Sequence, residues 1–211
     1  MAPDQTPDKN QITFTQEIFR KATHMCALVI PGGYYLLGLE KAGMLAIMIP
    51  VALLMVLIDV SRLRQWLFWR SFARPIVSSM IRQHEKDGDF TGATYILASF
   101  CLTIALYSKP IAIAALTFIV VGDTFAALIG RRFGRHRFGN KSFEGSAACL
   151  VTTVIVALLM PGIALPVVLF GAVVATVVEA LPFGIDDNVT VPILSGLFMT
   201  LFERIFHFFA L

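Results

Sequence analysis

The chain has 211 residues, 57% of them hydrophobic and only 15% charged, with a formal net charge of +3 and mean hydropathy +0.77. That charged fraction falls well below the quarter or so usual in soluble domains, and the charges are bunched, leaving apolar stretches near the ~20 residues that cross a bilayer. A soluble globular domain is excluded, and the reading is an all-α, polytopic integral membrane protein. Cys26, Cys101 and Cys149 stand singly in apolar runs as small hydrophobes, and no pair has metal-ligand spacing.

Taken in order, residues 1–15 read as a solvated, disordered tail without the apolar core of a cleavable signal peptide, and 16–211 as one membrane-embedded domain. Glu17 to His24 is a short amphipathic entry in which Glu17 and Lys21, and Arg20 and His24, are spaced to pair on a helix face. Span one covers roughly 23–39, with a kink expected at Pro31-Gly32-Gly33. Span two, roughly 42–60, ends in Asp59 and Arg62, an i,i+3 pair able to neutralise itself. Residues 61–91 mix Trp66 with Arg62, Arg64, Arg70, Arg74 and Arg82 and suggest a segment lying among headgroups. Span three runs roughly 92–107, and Lys109-Pro110 turns into span four, roughly 110–130. A basic loop, 131–145, precedes span five, which ends near Met160. Span six ends with Glu179, an acidic loop holds Asp186-Asp187-Asn188, and span seven occupies roughly 189–209, where Glu203 and His207 form a local pair. That makes about seven spans. The Arg and Lys bias across alternate loops puts the N-terminus and the polar loops in the cytoplasm and the C-terminus outside.

One run concentrates the chemistry: Gly122-Asp123-Thr124 inside an apolar segment, then Gly130-Arg131-Arg132-Phe133-Gly134, then Lys141-Ser142-Phe143-Glu144-Gly145-Ser146. An ionisable residue at membrane depth is expensive unless paired or wet, so Asp123 marks a functional site. Glycines let backbone N–H groups approach an anion, and arginine and lysine supply the matching charge. Together they read as a phosphate site with a metal-binding carboxylate. The stretch Gly134 to Ser142 approaches a P-loop, but Asn140 interrupts it and membrane helices flank it. Carboxylates suit Mg²⁺, and phosphoryl or nucleotidyl transfer needs mainly positioning and charge stabilisation.

The run from Gly122 through Ser146, with Asp186-Asp187-Asn188-Val189-Thr190-Val191-Pro192, resembles the CTP-dependent lipid kinases: dolichol kinase, phytol kinase and the CTP-using diacylglycerol kinase. Arg20-Lys21-x-x-His24 and Thr91-Gly92-Ala93-Thr94-Tyr95 are similar too, so the resemblance covers nearly the whole chain. It implies transfer of the terminal phosphate of CTP to a membrane lipid alcohol (polyprenol or dolichol, phytol, or diacylglycerol) with Mg²⁺ or another divalent cation. The neighbouring CDP-diacylglycerol synthases share a cytidine-handling block. This chain lacks their Ser-Pro-Lys approach and their histidine-glycine-glycine ending, which favours the kinase over a phosphatidate cytidylyltransferase. A small transporter is a further alternative, but no internal repeat supports it.

The site expected from these motifs has Asp123, Lys141 and Asp187 as catalytic residues. Asp123, Asp186, Asp187 and Asn188 are the metal ligands. Arg20, Lys21, Gly130, Arg131, Arg132, Gly134, Lys141, Ser142, Glu144 and Gly145 receive CTP. Glu144 either binds the ribose or anchors Lys141, and Asp187 and Glu179 are both candidates for general base. The expected partners are CTP, a lipid alcohol and the membrane, with no nucleic acid and with oligomeric state open.

Overall fold

A 25-residue helix, Lys109–Phe133, organises the molecule. Ser108 precedes it in an extended conformation, and Pro110 in the first turn gives up an N–H that has no intrahelical acceptor there. Its middle turns carry Ala112, Ala114, Ala115, Leu116, Phe118, Ile119 and Val120, all buried. Small residues among these let neighbouring helices approach closely.

The computed structural model describes residues 14–66, 89–182 and 184–209. In chain order these form α1 (Phe14–Met25), a 3-10 turn (Cys26–Leu28), α2 (Val29–Leu36), α3 (Lys41–Leu63), α4 (Gly92–Leu106), α5 (Lys109–Phe133), a hairpin of β1 (Arg137–Phe138) and β2 (Lys141–Ser142), then α6 (Phe143–Leu159), α7 (Leu165–Ala180) and α8 (Asp187–Phe209). Helix α5 packs against α1, α2, α4, α6, α7 and α8, while α3 lies at the edge against α4. In the hairpin Arg137 pairs with Ser142 and Phe138 with Lys141, closed by Gly139-Asn140, where Gly139 has φ +57°. A two-residue antiparallel turn needs such left-handed backbone, which glycine adopts without strain.

The all-helical expectation holds. Among the described residues, three helices are long and apolar enough to cross a membrane: Lys41–Leu63, Lys109–Phe133 and Asp187–Phe206. Helices α4, α6 and α7 are apolar but have 15 to 17 residues. At 1.5 Å per residue they rise only ~22–26 Å, against ~30 Å of hydrocarbon. Seven spans are therefore not confirmed: among the described residues, three helices have the length and composition of a crossing. Large apolar side chains cover the outside, among them Val29, Leu36, Leu53 and Leu159, while Glu17, Lys21, Asp59, Arg62 and Glu179 lie inside. Apolar outside and polar inside is the arrangement that suits a bilayer.

The expected break at Pro31-Gly32-Gly33 lies elsewhere. Helix α2 runs through these residues, and the α-pattern fails at Cys26–Leu28. Pro31 sits in the first turn of α2, where its missing N–H is harmless, and its ring crowds the carbonyl four residues back, at Ala27. The distortion therefore appears one turn upstream. Phe14 and Thr15, assigned to the tail, already belong to α1. The proposed headgroup segment falls mostly on 67–88, outside the described residues, as do residues 1–13 and the side chain of His207.

Two buried polar joints tie helices together. Asp59 at the end of α3 takes Arg62 Nε on Oδ1 at 3.1 Å, and on Oδ2 the Thr91 N–H, the Thr91 hydroxyl and the Thr94 hydroxyl at 2.8, 2.8 and 2.6 Å. The expected Asp59–Arg62 pair thus forms, extended by the Thr91-to-Tyr95 run. In α8, Pro192 cannot donate to the carbonyl of Asn188; the Ser99 hydroxyl of α4 does so instead, at 2.6 Å.

Candidate active site

One end of the bundle gathers the C-terminal ends of α5 and α7, the N-terminal ends of α6 and α8, the hairpin and α1 around a cavity of about 690 Å³. That size is typical of a small-molecule site.

Asp123 lies three turns from the end of α5, with Ala126, Ala127 and Gly130 on the same cavity wall. Its Oδ2 receives Lys21 Nζ from α1, and His24 Nε2 stands 3.5 Å away. Burial pulls the Lys21 ammonium below its ordinary pKa, against the opposing pull of Asp123. The expected Glu17–Lys21 and Arg20–His24 pairs do not form. Glu17, Lys21 and His24 recur at helical spacing and share the face turned toward α5, so Lys21 and His24 meet Asp123. Glu17 instead holds Arg20 at 2.5 Å, with Arg131 Nη1 at 3.8 Å.

Across the cavity, Lys141 is the hub. Its Nζ donates to Glu179 Oε1 at 2.8 Å, to Asp187 Oδ2 at 2.7 Å and to the Glu179 carbonyl. Burial lowers its pKa, but the two carboxylates outweigh that and raise it above 10.5. The short hairpin aims Lys141 inward, while His136 folds back beside Glu144: its N–H and Nδ1 meet Glu144 Oε1 at 3.2 and 2.8 Å. Of the two roles held open for Glu144, anchoring Lys141 is therefore replaced; Glu179 and Asp187 do it.

Asp186 is the N-cap of α8, its Oδ1 accepting the Asn188 backbone N–H at 2.9 Å and the Asn188 side-chain amide at 2.6 Å. This bond fixes the amide and leaves Asn188 Oδ1 buried without a donor.

The three glycines carry a packing task as well. A Cβ on Gly145 would stand 2.8 Å from the Ala126 carbonyl, one on Gly130 would stand 2.9 Å from Ser142 Oγ, and one on Gly134 would meet the Gly130 carbonyl. They let α5 and α6 touch backbone to backbone. The Ser142 hydroxyl meanwhile caps α6 by accepting from Gly145 N–H at 3.1 Å.

Of the expected site residues, Arg20, Asp123, Gly130, Arg131, Lys141, Ser142, Gly145, Asp186, Asp187 and Asn188 line the cavity, with Lys21 behind Asp123. Arg132, Gly134 and Glu144 line a separate depression instead, and Arg132 also lies over the rings of Phe14 and Phe133. Glu17, Arg137 and Asn140 line the cavity without having been expected to. For Glu17 the signal was the Glu17–Lys21–His24 periodicity.

The donor set suits a hard cation brought by phosphates. Among the described residues no three Asp, Glu, His or Cys side chains converge as a ready-made cage. Mg²⁺ is usually held by one or two carboxylates with substrate oxygens, and the unpartnered Asn188 Oδ1 is an oxygen of the right kind.

No family model and no solved structure matches the chain. Three relatives are informative. An uncharacterised protein of Rickettsia prowazekii is 25% identical over 201 residues, 91% of this chain and 97% of that one. CTP-dependent diacylglycerol kinase 1 of Saccharomyces cerevisiae is 27% identical over 211 residues, 87% of this chain and 72% of the yeast protein. A probable chloroplastic phytol kinase of Triticum aestivum is 29% identical over 138 residues, 56% of this chain and 46% of its own length. The match to the plant protein thus spans a little under half of it. These likenesses support lipid kinase activity. Relatives named as CTP-dependent diacylglycerol kinase and phytol kinase, at 26–31% identity, support a likeness to the CTP-dependent lipid kinases.

Proposed function

We propose that this protein transfers the terminal phosphate of CTP to the hydroxyl of a membrane lipid alcohol, at a site opening to the cytoplasm. The observation that carries the reading is the cavity wall itself. Lys141 is held between Glu179 and Asp187 on one side, Asp123 is held by Lys21 on the other, and Arg20 and Arg131 line the space between. Fixed cations beside carboxylates are what a triphosphate with a divalent cation requires.

Arg20, Arg131 and Lys141 would hold the triphosphate, with the first turn of α6 presenting backbone N–H groups behind Ser142. Asp123, Asp187 and Asn188 would hold a divalent cation, with Asp186 orienting Asn188. Held there, a divalent cation would supply positive charge against the phosphate oxygens. The acceptor oxygen bonds to the terminal phosphorus, the bond to the β-phosphate oxygen breaks, and CDP leaves. The protein's part is positioning and charge stabilisation.

The test is incubation of purified protein with γ-labelled CTP, Mg²⁺ and a panel of diacylglycerol, phytol and polyprenols. Label should appear in one lipid, and ATP should substitute poorly. Release of pyrophosphate with formation of a CDP-lipid would overturn the kinase reading in favour of cytidylyl transfer.

A further inference from the structure

We infer that Glu179 is the catalytic base that takes the proton of the lipid hydroxyl; this rests on the kinase reading above. Glu179 lies in the last turn of α7, where the helix dipole disfavours an anion and apolar surroundings disfavour any charge. A side chain that breaks both rules stays only where something offsets them. Part of the offset is visible: Lys141 Nζ sits 2.8 Å from Oε1.

The other oxygen is the informative one. Oε2 is buried, has no hydrogen-bond donor, and belongs to a side chain 5% exposed on the cavity wall. A buried acceptor without a donor is costly and calls for one. An incoming alcohol brings an O–H, the group that completes Oε2. Asp187, the other candidate, fits less well. It is 33% exposed, its Oδ2 is committed to Lys141, and it stands at the wet mouth of the site.

Lys141 ties the two halves of the reaction together. Its ammonium bonds Glu179 Oε1 and fixes the orientation of the side chain. In the step, the acceptor O–H bond breaks toward Glu179 Oε2, the acceptor oxygen bonds to the terminal phosphorus of CTP, and CDP departs with the bridging oxygen's electron pair. Glu179 ends protonated and returns the proton to solvent or to CDP, so charge and atoms balance.

The experiment uses the full chain in detergent micelles with wild type, E179Q and E179D. Labelled CTP binding is measured by equilibrium dialysis, the Mg²⁺ midpoint by titration, and turnover with diacylglycerol and phytol. E179Q keeps the shape, and Lys141 keeps Asp187. It should bind CTP within about twofold of wild type, keep the Mg²⁺ midpoint, and lose on the order of 10²–10⁴ in turnover, the usual contribution of general acid–base catalysis. E179D keeps the charge but withdraws it by one methylene, and should recover part of the loss; if E179Q does not fold, E179D must by itself lose at least tenfold. Turnover of folded E179Q within tenfold of wild type overturns the assignment. So does a shifted Mg²⁺ midpoint, which would make Glu179 a metal ligand, or lost CTP binding, which would make it merely a support for Lys141. A wild-type protein that labels no alcohol refutes the kinase reading; an active wild type beside an active E179Q refutes only the role of Glu179.

Discussion

Replacing Asp123 with asparagine separates what this carboxylate does for the fold from what it does for the reaction. Lys21 is the buried member of the pair, its side chain 1% exposed against 16% for Asp123. Asp123→Asn therefore strands an ammonium, and His24 at 3.5 Å offers no negative charge in exchange. Removing one partner of a buried pair costs about 3–5 kcal/mol. The lower end, about 3 kcal/mol, is expected, because burial has already lowered the Lys21 pKa and a stranded lysine escapes by losing its proton. Lys21→Met strands the wetter partner and should cost about 2 kcal/mol, near the value of a hydrogen bond to a charged group. In the double variant neither charge is left alone, so a coupling of about 1–3 kcal/mol should return. Unfolding of the purified full chain in micelles gives the stabilities, and labelled CTP gives turnover per folded molecule. Stability should recover in the double variant while turnover does not. Additive losses of stability would refute the pair. Turnover of folded Asp123→Asn within tenfold of wild type would remove Asp123 from the chemistry.

Two more expectations follow from named contacts. Ser99→Ala deprives the Asn188 carbonyl, already denied a donor by Pro192, of the hydroxyl that reaches it from α4 and should cost about 1–3 kcal/mol in unfolding experiments; a loss under about 0.5 kcal/mol would mean that water or a shift of α8 replaces it. Lys141 has a folded-state pKa above its unfolded value, so its stabilising contribution is fully present below pH 10.5 and lost as pH rises through the higher folded value. The stability gap between wild type and Lys141→Met should accordingly stay flat from pH 7 to pH 10 and close only beyond; a gap that decays between pH 7 and pH 9 would contradict the raised pKa.

Composition and local pattern were enough to mark out most of this protein. Apolar runs gave helices α3 to α8 nearly end to end, because burying side chains in an apolar surrounding imposes a length and a period that the sequence must carry. Asp123 and the arginine-glycine loop stood out for a related reason: charge and glycine in such surroundings violate local preference unless something compensates. Local pattern also paired Asp59 with Arg62, three residues apart. It could not give Asp123 its partner, since Lys21 lies 102 residues away and only the packing of α1 on α5 brings the two together. Nor could it tell that Glu144 turns to His136 and Lys141 to Glu179 and Asp187, because a two-residue hairpin decides which side chain faces the cavity. Gly130, Gly134 and Gly145 show the same division: spacing suggested backbone open to phosphate, whereas the fold also uses their missing Cβ atoms to seat α6 on α5. Sequence sets which groups are expensive to bury; only the tertiary structure decides which other group, brought from far along the chain, offsets that cost.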